Sequence, residues 1–88
     1  EEEIERRNDG TFVVDGLISI EEFKGNFHVN HLPGESSGTF HTVGGFITSR
    51  LGRIPKEGNS FTYGSLRFEV MEMDNNRVNK VLVIPIKN

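Results

Sequence analysis

Three histidines and one glutamate are the first candidates for chemistry in this 88-residue chain. His28 and His31 are three positions apart, Glu35 follows them, and His41 lies ten positions beyond His31. Imidazole and carboxylate groups are common zinc ligands, but their spacing here matches no standard zinc pattern. Exposed loop histidines are the simpler interpretation, and we therefore predict no metal site in this segment.

Signatures of catalysis are also missing from the sequence. The Ser36-Ser37 pair does not stand in a G-x-S-x-G motif, which would mark a nucleophilic serine. Residues 34–38 lack the Gly-Lys-Ser/Thr ending of a phosphate-binding loop. The chain contains no cysteine, which excludes disulfides and thiol catalysis. We therefore predict that the domain is not an enzyme.

Charged side chains are unevenly distributed along the chain. Arg50, Arg53 and Lys56 cluster at the predicted end of a helix, where they either complement the helix dipole or contact an anion. Residues 1–49 hold nine acidic and three basic side chains, whereas residues 50–88 hold four acidic and seven basic ones. An ordinary polar surface or a bipolar docking domain would both fit this pattern. The net charge of −3, without aromatic residues interleaved among basic ones, predicts no nucleic-acid partner.

The elements that position these residues begin with a β-hairpin and a short helix. Residues 4–7 and 11–15 flank Asn8-Asp9-Gly10, which is a strong turn signal. Ser19 is a good N-cap, and Glu22 completes a capping box with it. Gly25-Asn26 predicts the end of the helix, and residues 28–41 are predicted as a long loop.

A second helix is predicted after Thr42, its N-cap. Gly44 and Gly45 in the first turn disfavour the helix, which suggests that another backbone approaches closely there. Gly52 predicts a left-handed end, and Pro55 prevents the helix from resuming. The apolar stripe of this helix is predicted to contain Val43, Phe46, Ile47, Leu51 and Ile54.

The last third of the chain is predicted as three strands. A short strand at residues 61–63 follows a turn at Gly58, and Leu66, Phe68 and Val70 alternate with charged residues in the next strand. We expect a bulge at Val70-Met71 and a two-residue turn at Asn75-Asn76.

The apolar runs at residues 12–14 and 81–84 predict strands that are buried on both faces. Pro85 cannot donate a ladder hydrogen bond, so the end of the final strand, residues 78–86, is expected at an edge. The element order is then ββααβββ. Because helices and strands are segregated, we predict an α+β fold with two short helices packed on a mostly antiparallel sheet.

The size of the chain predicts one domain with a small core. No apolar run approaches the roughly 18–20 residues that a membrane helix needs. The chain begins with three glutamates instead of methionine. We therefore expect residues 1–88 to be a single-domain piece of a longer protein.

These elements carry a pattern that resembles the transporter-associated domain of the CorC/HlyC family. The ordered set covers most of the chain, from about residue 11 to residue 83. Its parts are Asp-Gly at 15–16, Ile-Glu-Glu-Phe at 20–23, Leu-Pro-Gly-Glu at 32–35, His-Thr-Val-Gly-Gly-Phe at 41–46, Leu-Gly-Arg-Ile-Pro at 51–55, Gly58, Leu-Arg-Phe-Glu-Val at 66–70, Met-Asp-Asn-Asn-Arg-Val at 73–78 and Val-Leu-Val at 81–83.

The resemblance implies a domain at the cytosolic face of an integral membrane protein, with a membrane domain and a pair of CBS domains of the same polypeptide as partners. It implies magnesium and cobalt efflux or a hemolysin-like protein, in which this domain modulates ion transport by docking. It also implies a fold similar to a subdomain of FAD-binding folds. A flavin (FAD) or adenine-nucleotide-binding domain is therefore one alternative. An oligomerisation module is another. A ligand of the size of FAD needs a cleft of roughly 300–1,000 Å³, which a small core with two short helices can supply alone only with difficulty.

The family's motif residues are expected to act as structural parts, and none is expected to be catalytic. Asp15 and Gly16 would end a strand and begin a turn, while Ser19 and Glu22 would cap the first helix. The other motif residues are Thr42, Gly45, Gly52, Pro55, Gly58, Phe68 and Val70.

Overall fold

The computed structural model describes residues 3–86, which form two helices and one five-stranded sheet. The elements in chain order are β1 (Ile4–Arg6), β2 (Phe12–Asp15), α1 (Ile20–Phe27), a 3₁₀ helix (Glu35–Ser37), α2 (Val43–Leu51), β3 (Ser60–Tyr63), β4 (Leu66–Asp74) and β5 (Arg77–Pro85). All strand pairs are antiparallel, and the spatial order is β1-β2-β5-β4-β3. The predicted α+β class is confirmed.

Both helices contribute to the core on one face of the sheet. Phe68 on β4 lies where the two helices and the sheet meet. Its ring centroid is 5.7 Å from that of Phe23 on α1 and 5.6 Å from that of Phe46 on α2. Phe61 on the neighbouring strand stacks on Phe68 at 5.1 Å. Aromatic rings bury large apolar areas, so this cluster supplies much of the hydrophobic stabilisation available to so small a domain.

The prediction that two strands are buried on both faces is wrong. Val81 and Val83 on β5 are fully buried, whereas Leu82 and Ile84 between them are only partly buried. On β2, Val14 is buried, while its neighbour Val13 is partly exposed. The helices cover one face of the sheet, so alternate residues of each strand point to a face that no helix covers.

The end of β5 at Pro85 has only one neighbouring strand, as predicted, although β5 itself is the central strand of the sheet. Val83 pairs with Phe12 on β2 and with Phe68 on β4. Pro85 lies beyond the last β2 pair and pairs only with Leu66. Its missing N–H therefore costs no bond on the β2 side of the ladder.

Helix α1 runs past the predicted stop at Gly25-Asn26 and ends at Phe27. His28 follows in the left-handed region at φ 57°, and its N–H donates to the Lys24 carbonyl. The longer helix brings the Phe27 ring to 4.6 Å from Phe23 and 5.0 Å from Phe12. Packing of Phe27 against two other aromatic rings thus overrides the local preference of Gly and Asn to end a helix.

Residues 28–41 are more ordered than a simple loop. They contain the 3₁₀ helix, and they place Leu32 and Phe40 in the hydrophobic core. Phe40 packs against Phe46 with ring centroids 5.5 Å apart. The predicted long loop is therefore anchored by two of its own apolar side chains.

Helix α2 is shorter than its predicted apolar stripe. It ends at Leu51, and Gly52 follows in the left-handed region at φ 74°. Ile54 lies outside the helix and is 53% exposed, so its assignment to the buried stripe is wrong. Pro55 is buried instead.

The two features predicted for the β4–β5 hairpin are confirmed. The register between β4 and β5 shifts next to Glu72, which places the irregularity at the predicted bulge. Asp74 pairs with Arg77 across a two-residue turn, and Asn75 in that turn has a φ of 56°. Asn tolerates this left-handed conformation, as the sequence suggested.

Candidate functional site

A groove with a volume of about 590 Å³ lies beside the start of α2. It lies between the turn that follows β2, the first turns of α2 and the hairpin end of β4 and β5. The groove is lined by Gly16, Leu17, Thr39, Thr42, Gly44, Gly45, Thr48, Ser49, Asn76, Arg77 and Val78. The domain therefore has a groove of several hundred Å³, a volume that we expected so small a core to supply only with difficulty.

Two glycines form the floor of the groove because three backbone segments meet there. A Cβ atom added at Gly16 would lie 2.0 Å from the Val78 carbonyl oxygen, a distance at which the backbone must move. A Cβ atom at Gly44 would lie 3.0 Å from the Gly16 oxygen. The Gly44 N–H donates to that same oxygen at 2.9 Å. The floor is therefore built of backbone contacts that a larger residue at Gly16 would disrupt.

The turn that forms one wall is held by Asp15. Its Oδ1 atom accepts a hydrogen bond from the Leu17 N–H at 2.8 Å, and its carbonyl accepts one from the Ile18 N–H at 3.1 Å. The Gly16 N–H donates to the Asn79 carbonyl at 2.8 Å. This network places the Leu17 side chain at the rim, where it is 51% exposed.

The N-caps of the two helices are joined to each other. Ser19 and Thr42 face each other in an isolated antiparallel bridge, in which the Ile20 N–H donates to the His41 carbonyl and the Val43 N–H donates to the Ile18 carbonyl. Each cap side chain also accepts a bond from its own helix, Ser19 from the Glu22 N–H and Thr42 from the Gly45 N–H. The bridge fixes the starting points of both helices relative to each other.

The N-terminus of α2 has no amide left for an anion. The Val43 and Gly44 N–H groups donate to the carbonyls of Ile18 and Gly16, and the Gly45 and Phe46 N–H groups donate to the side chain and carbonyl of Thr42. Phosphate sites at helix N-termini need such amides to be free. The glycine pair in this helix therefore serves close packing and does not form a phosphate cradle.

The side chains that line the groove offer apolar contact, hydroxyl and carboxamide hydrogen bonds and one positive charge. Leu17 and Val78 supply aliphatic surface, and Thr48 and Ser49 supply hydroxyls. Arg77 is the one basic lining residue, and none of the lining residues is acidic. The groove thus suits a ligand that combines an apolar group with a negative charge.

A second polar cluster surrounds Glu35 and belongs to the scaffold. Glu35 Oε2 lies 2.5 Å from Lys24 Nζ, and Oε1 accepts the Leu32 N–H at 2.7 Å. The hydrogen bond from Lys24, followed by that from Leu32, lowers the pKa of Glu35, and the bond to Glu35 raises the pKa of Lys24. His31 Nδ1 lies 3.6 Å from the same carboxylate. These contacts tie the segment after α1 to the helix itself.

The three histidines are not gathered into one site. His28 caps α1 through its backbone, His31 approaches Glu35, and His41 takes part in the bridge between the two caps. Within residues 3–86, no group of three or more His, Asp or Glu side chains has the arrangement needed to hold a metal ion.

The remaining motif residues lie either along the groove or in the core and turns of the domain. Gly16, Thr42 and Gly45 line the groove, whereas Phe68 and Val70 are buried in the core. Gly58 adopts a φ of 93°, and its N–H donates to the Val70 carbonyl at 2.8 Å. Sequence reasoning missed Leu17, Thr48 and Arg77 as groove residues, because nothing in the local pattern brings these three segments together.

Among residues 3–86, no helix has both the length and the apolar character that crossing a bilayer requires.

The fold and the groove define a small α+β domain in which two helices cover one face of a five-stranded antiparallel sheet. The transporter-associated CorC_HlyC domain of a Xylella fastidiosa hemolysin, solved in complex with Mg²⁺ and Mn²⁺, has this fold. It superposes with a TM-score of 0.83 at 30% identity and covers 96% of this chain and 98% of that one. Residues 5–87 match the CorC_HlyC family, the transporter associated domain, and the chain belongs to this family.

Two relatives show the context of such domains. A UPF0053 protein from Synechocystis sp. is 46% identical over 83 residues, which are 94% of this chain and 18% of that protein. The polyamine export protein of Salmonella typhimurium is 33% identical over 88 residues, which are 100% of this chain and 19% of that protein. The chain thus spans about a fifth of the length of these curated relatives.

Proposed function

We propose that this chain is a non-enzymatic accessory domain that modulates cation transport by a membrane protein of which it forms a part. The observation that carries the proposal is the match of residues 5–87 to the transporter-associated family, in relatives of which this domain is about a fifth. The domain acts at the cytosolic face, on the membrane domain and the CBS pair of the same polypeptide.

Docking is the means by which a domain of this kind acts on its host. Intramolecular contacts need little affinity, because the linkage keeps the two surfaces at a high effective concentration. The hydrogen-bonded bridge between Ser19 and Thr42 supports this role, since it joins the starts of both helices beside the groove. A small shift of the domain against the host would then be transmitted without being absorbed inside the domain.

The transported cargo is proposed to be a cation. The similar Salmonella protein is named for polyamine export. The family resemblance of the sequence implies magnesium and cobalt. Polyamines and divalent metals share multiple positive charge, so both classes belong in the same assay. The domain is proposed to change the rate of export and not to bind the cargo.

Deletion of residues 5–87 from the full-length protein tests the proposal. Efflux of Mg²⁺, Co²⁺ and a polyamine is measured in cells that carry the deletion, with expression and oligomeric size of the remaining protein as controls. We expect altered efflux of at least one cargo while the amount and assembly of the protein stay the same. Unchanged efflux of all three cargos with unchanged assembly would contradict a modulating role.

A further inference from the structure

We propose that the groove beside α2 receives a segment of the same polypeptide that presents an aliphatic side chain next to a carboxylate. This inference rests on the proposed function and specifies the surface through which the domain docks. It assigns the lining residues Leu17, Thr48 and Arg77 to recognition, and the floor residues Gly16 and Gly44 to shaping the groove.

The groove is already present in the chain by itself. Its floor is a three-way backbone contact, in which the Gly44 N–H bonds the Gly16 oxygen and Gly16 approaches the Val78 carbonyl too closely to admit a Cβ atom. A site that needs no rearrangement avoids an ordering cost on binding.

An aliphatic side chain is the apolar group that suits this groove. Leu17 stands at its rim and is 51% exposed, although its neighbour Ile18 is fully buried. The Asp15 carboxylate holds the Leu17 N–H at 2.8 Å and thereby keeps that side chain at the rim. Covering Leu17 removes apolar area from water, which favours an apolar contact from the partner. The hydroxyls of Thr48 and Ser49 offer hydrogen bonds to the backbone of an incoming segment.

A carboxylate is the charge that complements the groove. Arg77 lines it and is exposed, and within residues 3–86 it forms no salt bridge. No acidic residue lines the groove, although the chain as a whole has a net charge of −3. The Arg77 guanidinium therefore gives the groove a positive charge, which favours an anionic partner.

A segment of the same polypeptide fits better than a separate ligand. A groove open along the flank of a helix leaves one side of an occupant exposed, whereas small-molecule sites enclose most of their ligand. In the curated relatives about four fifths of the polypeptide lies outside the region matched by this chain. In those proteins, the segment that docks in the groove can therefore belong to the same polypeptide. Linkage lets a single aliphatic contact and a single ion pair suffice.

Hydrogen exchange on the full-length protein tests the inference with two matched pairs of variants. Leu17→Lys is compared with Ile54→Lys, because the two side chains are 51% and 53% exposed but only Leu17 lines the groove. Arg77→Glu is compared with Lys56→Glu, which makes the same change of charge at an exposed site away from the groove.

We expect Leu17→Lys and Arg77→Glu to raise the exchange rate of amides at residues 42–49 about tenfold, while amides at residues 81–83 in the core stay protected. The two control variants should exchange like the wild type. Equal exchange in all five proteins would overturn the inference. If efflux still depends on the domain in that case, the proposed function stands and only this docking surface is wrong.

Two other occupants would give different results. Protection at residues 42–49 that disappears on dilution of the wild type would indicate a second copy of the chain. Protection that disappears on extensive dialysis would indicate a bound small molecule. Either result would overturn the proposal of a linked segment.

Discussion

Lys24 Nζ lies 2.5 Å from Glu35 Oε2, although the two residues are eleven positions apart and lie on either side of the end of α1. Both side chains are about 15% exposed, so the ion pair is shielded more than a typical surface pair. Glu35 also receives the Leu32 N–H, and Leu32 is fully buried. This pair therefore links α1 to the segment around Leu32, the side chain that anchors residues 28–41 in the core.

The first prediction follows from the lowered pKa of Glu35. A carboxyl group whose pKa is lower in the folded state stabilises the fold at pH values above its unfolded pKa, here 4.5. That contribution is lost as the pH falls below 4.5 and through the lowered folded pKa. We expect Glu35→Gln to reduce the Tm at pH 7 and to make the acid-induced fall in Tm smaller, as measured by circular dichroism.

The control for this prediction is Glu21→Gln. Glu21 lies 3.8 Å from the same lysine, but its side chain is 79% exposed. It should change the Tm and its pH dependence much less than Glu35→Gln. Equal effects of the two variants would show that the Lys24–Glu35 pair stabilises the fold no more than the exposed Lys24–Glu21 pair does.

The second prediction concerns the two glycines Gly16 and Gly25. A Cβ atom at Gly16 would meet the Val78 carbonyl oxygen at 2.0 Å, so Gly16→Ala should lower the free energy of unfolding by about 3 kcal/mol or prevent folding. A Cβ atom at Gly25 in α1 would meet nothing within 4 Å, so Gly25→Ala should raise it by about 0.5–1 kcal/mol. Urea denaturation measures both. Opposite signs are expected, and the same sign would contradict the packing described for the groove floor.

The third prediction concerns the cap of α2. Thr42→Ala removes the acceptor of the Gly45 N–H and should reduce the free energy of unfolding by about 1 kcal/mol. Thr42→Ser keeps the hydroxyl and should recover most of this loss. If Thr42→Ser is as unstable as Thr42→Ala, the methyl group and not the hydrogen bond is what stabilises the helix.

The fourth prediction concerns the aromatic centre of the core. Phe68→Ala should lower the free energy of unfolding by about 3–5 kcal/mol, because Phe68 is buried and contacts the rings of Phe23, Phe46 and Phe61. Met71→Ala on the same strand is the control, since Met71 is 38% exposed. Its effect should stay within about 0.5 kcal/mol in the same urea titration. A loss below that of Met71→Ala would place the centre of the core elsewhere.

Local signals in the sequence were enough to place the turns and the caps. Ser19 and Thr42 accept hydrogen bonds from amides three residues further on, and Asn75 supports a two-residue turn, so each of these features depends on a few neighbouring residues. The left-handed end at Gly52 was predictable for the same reason. The ordered motifs further allowed the family to be identified from the chain alone.

The features that sequence reasoning missed depend on partners far away in the chain. Helix α1 continues to Phe27 because the ring packs on Phe12, fifteen positions earlier and on another element. Leu82 is partly exposed although it is apolar, because no helix covers its face of the sheet. Neither outcome is encoded in the local pattern.

The sequence by itself determined the class of the fold, the chemistry of the turns and the family, because these depend on side chains acting on nearby backbone and on an ordered set of motifs. Only the tertiary structure decided that Gly16, Gly44 and Val78 meet and that Leu17 and Arg77 stand on one groove. The physical reason is that a groove consists of the space between elements. Its shape is set by how close their backbones can approach, and the approach between Gly16 and Val78 joins residues that are 62 positions apart.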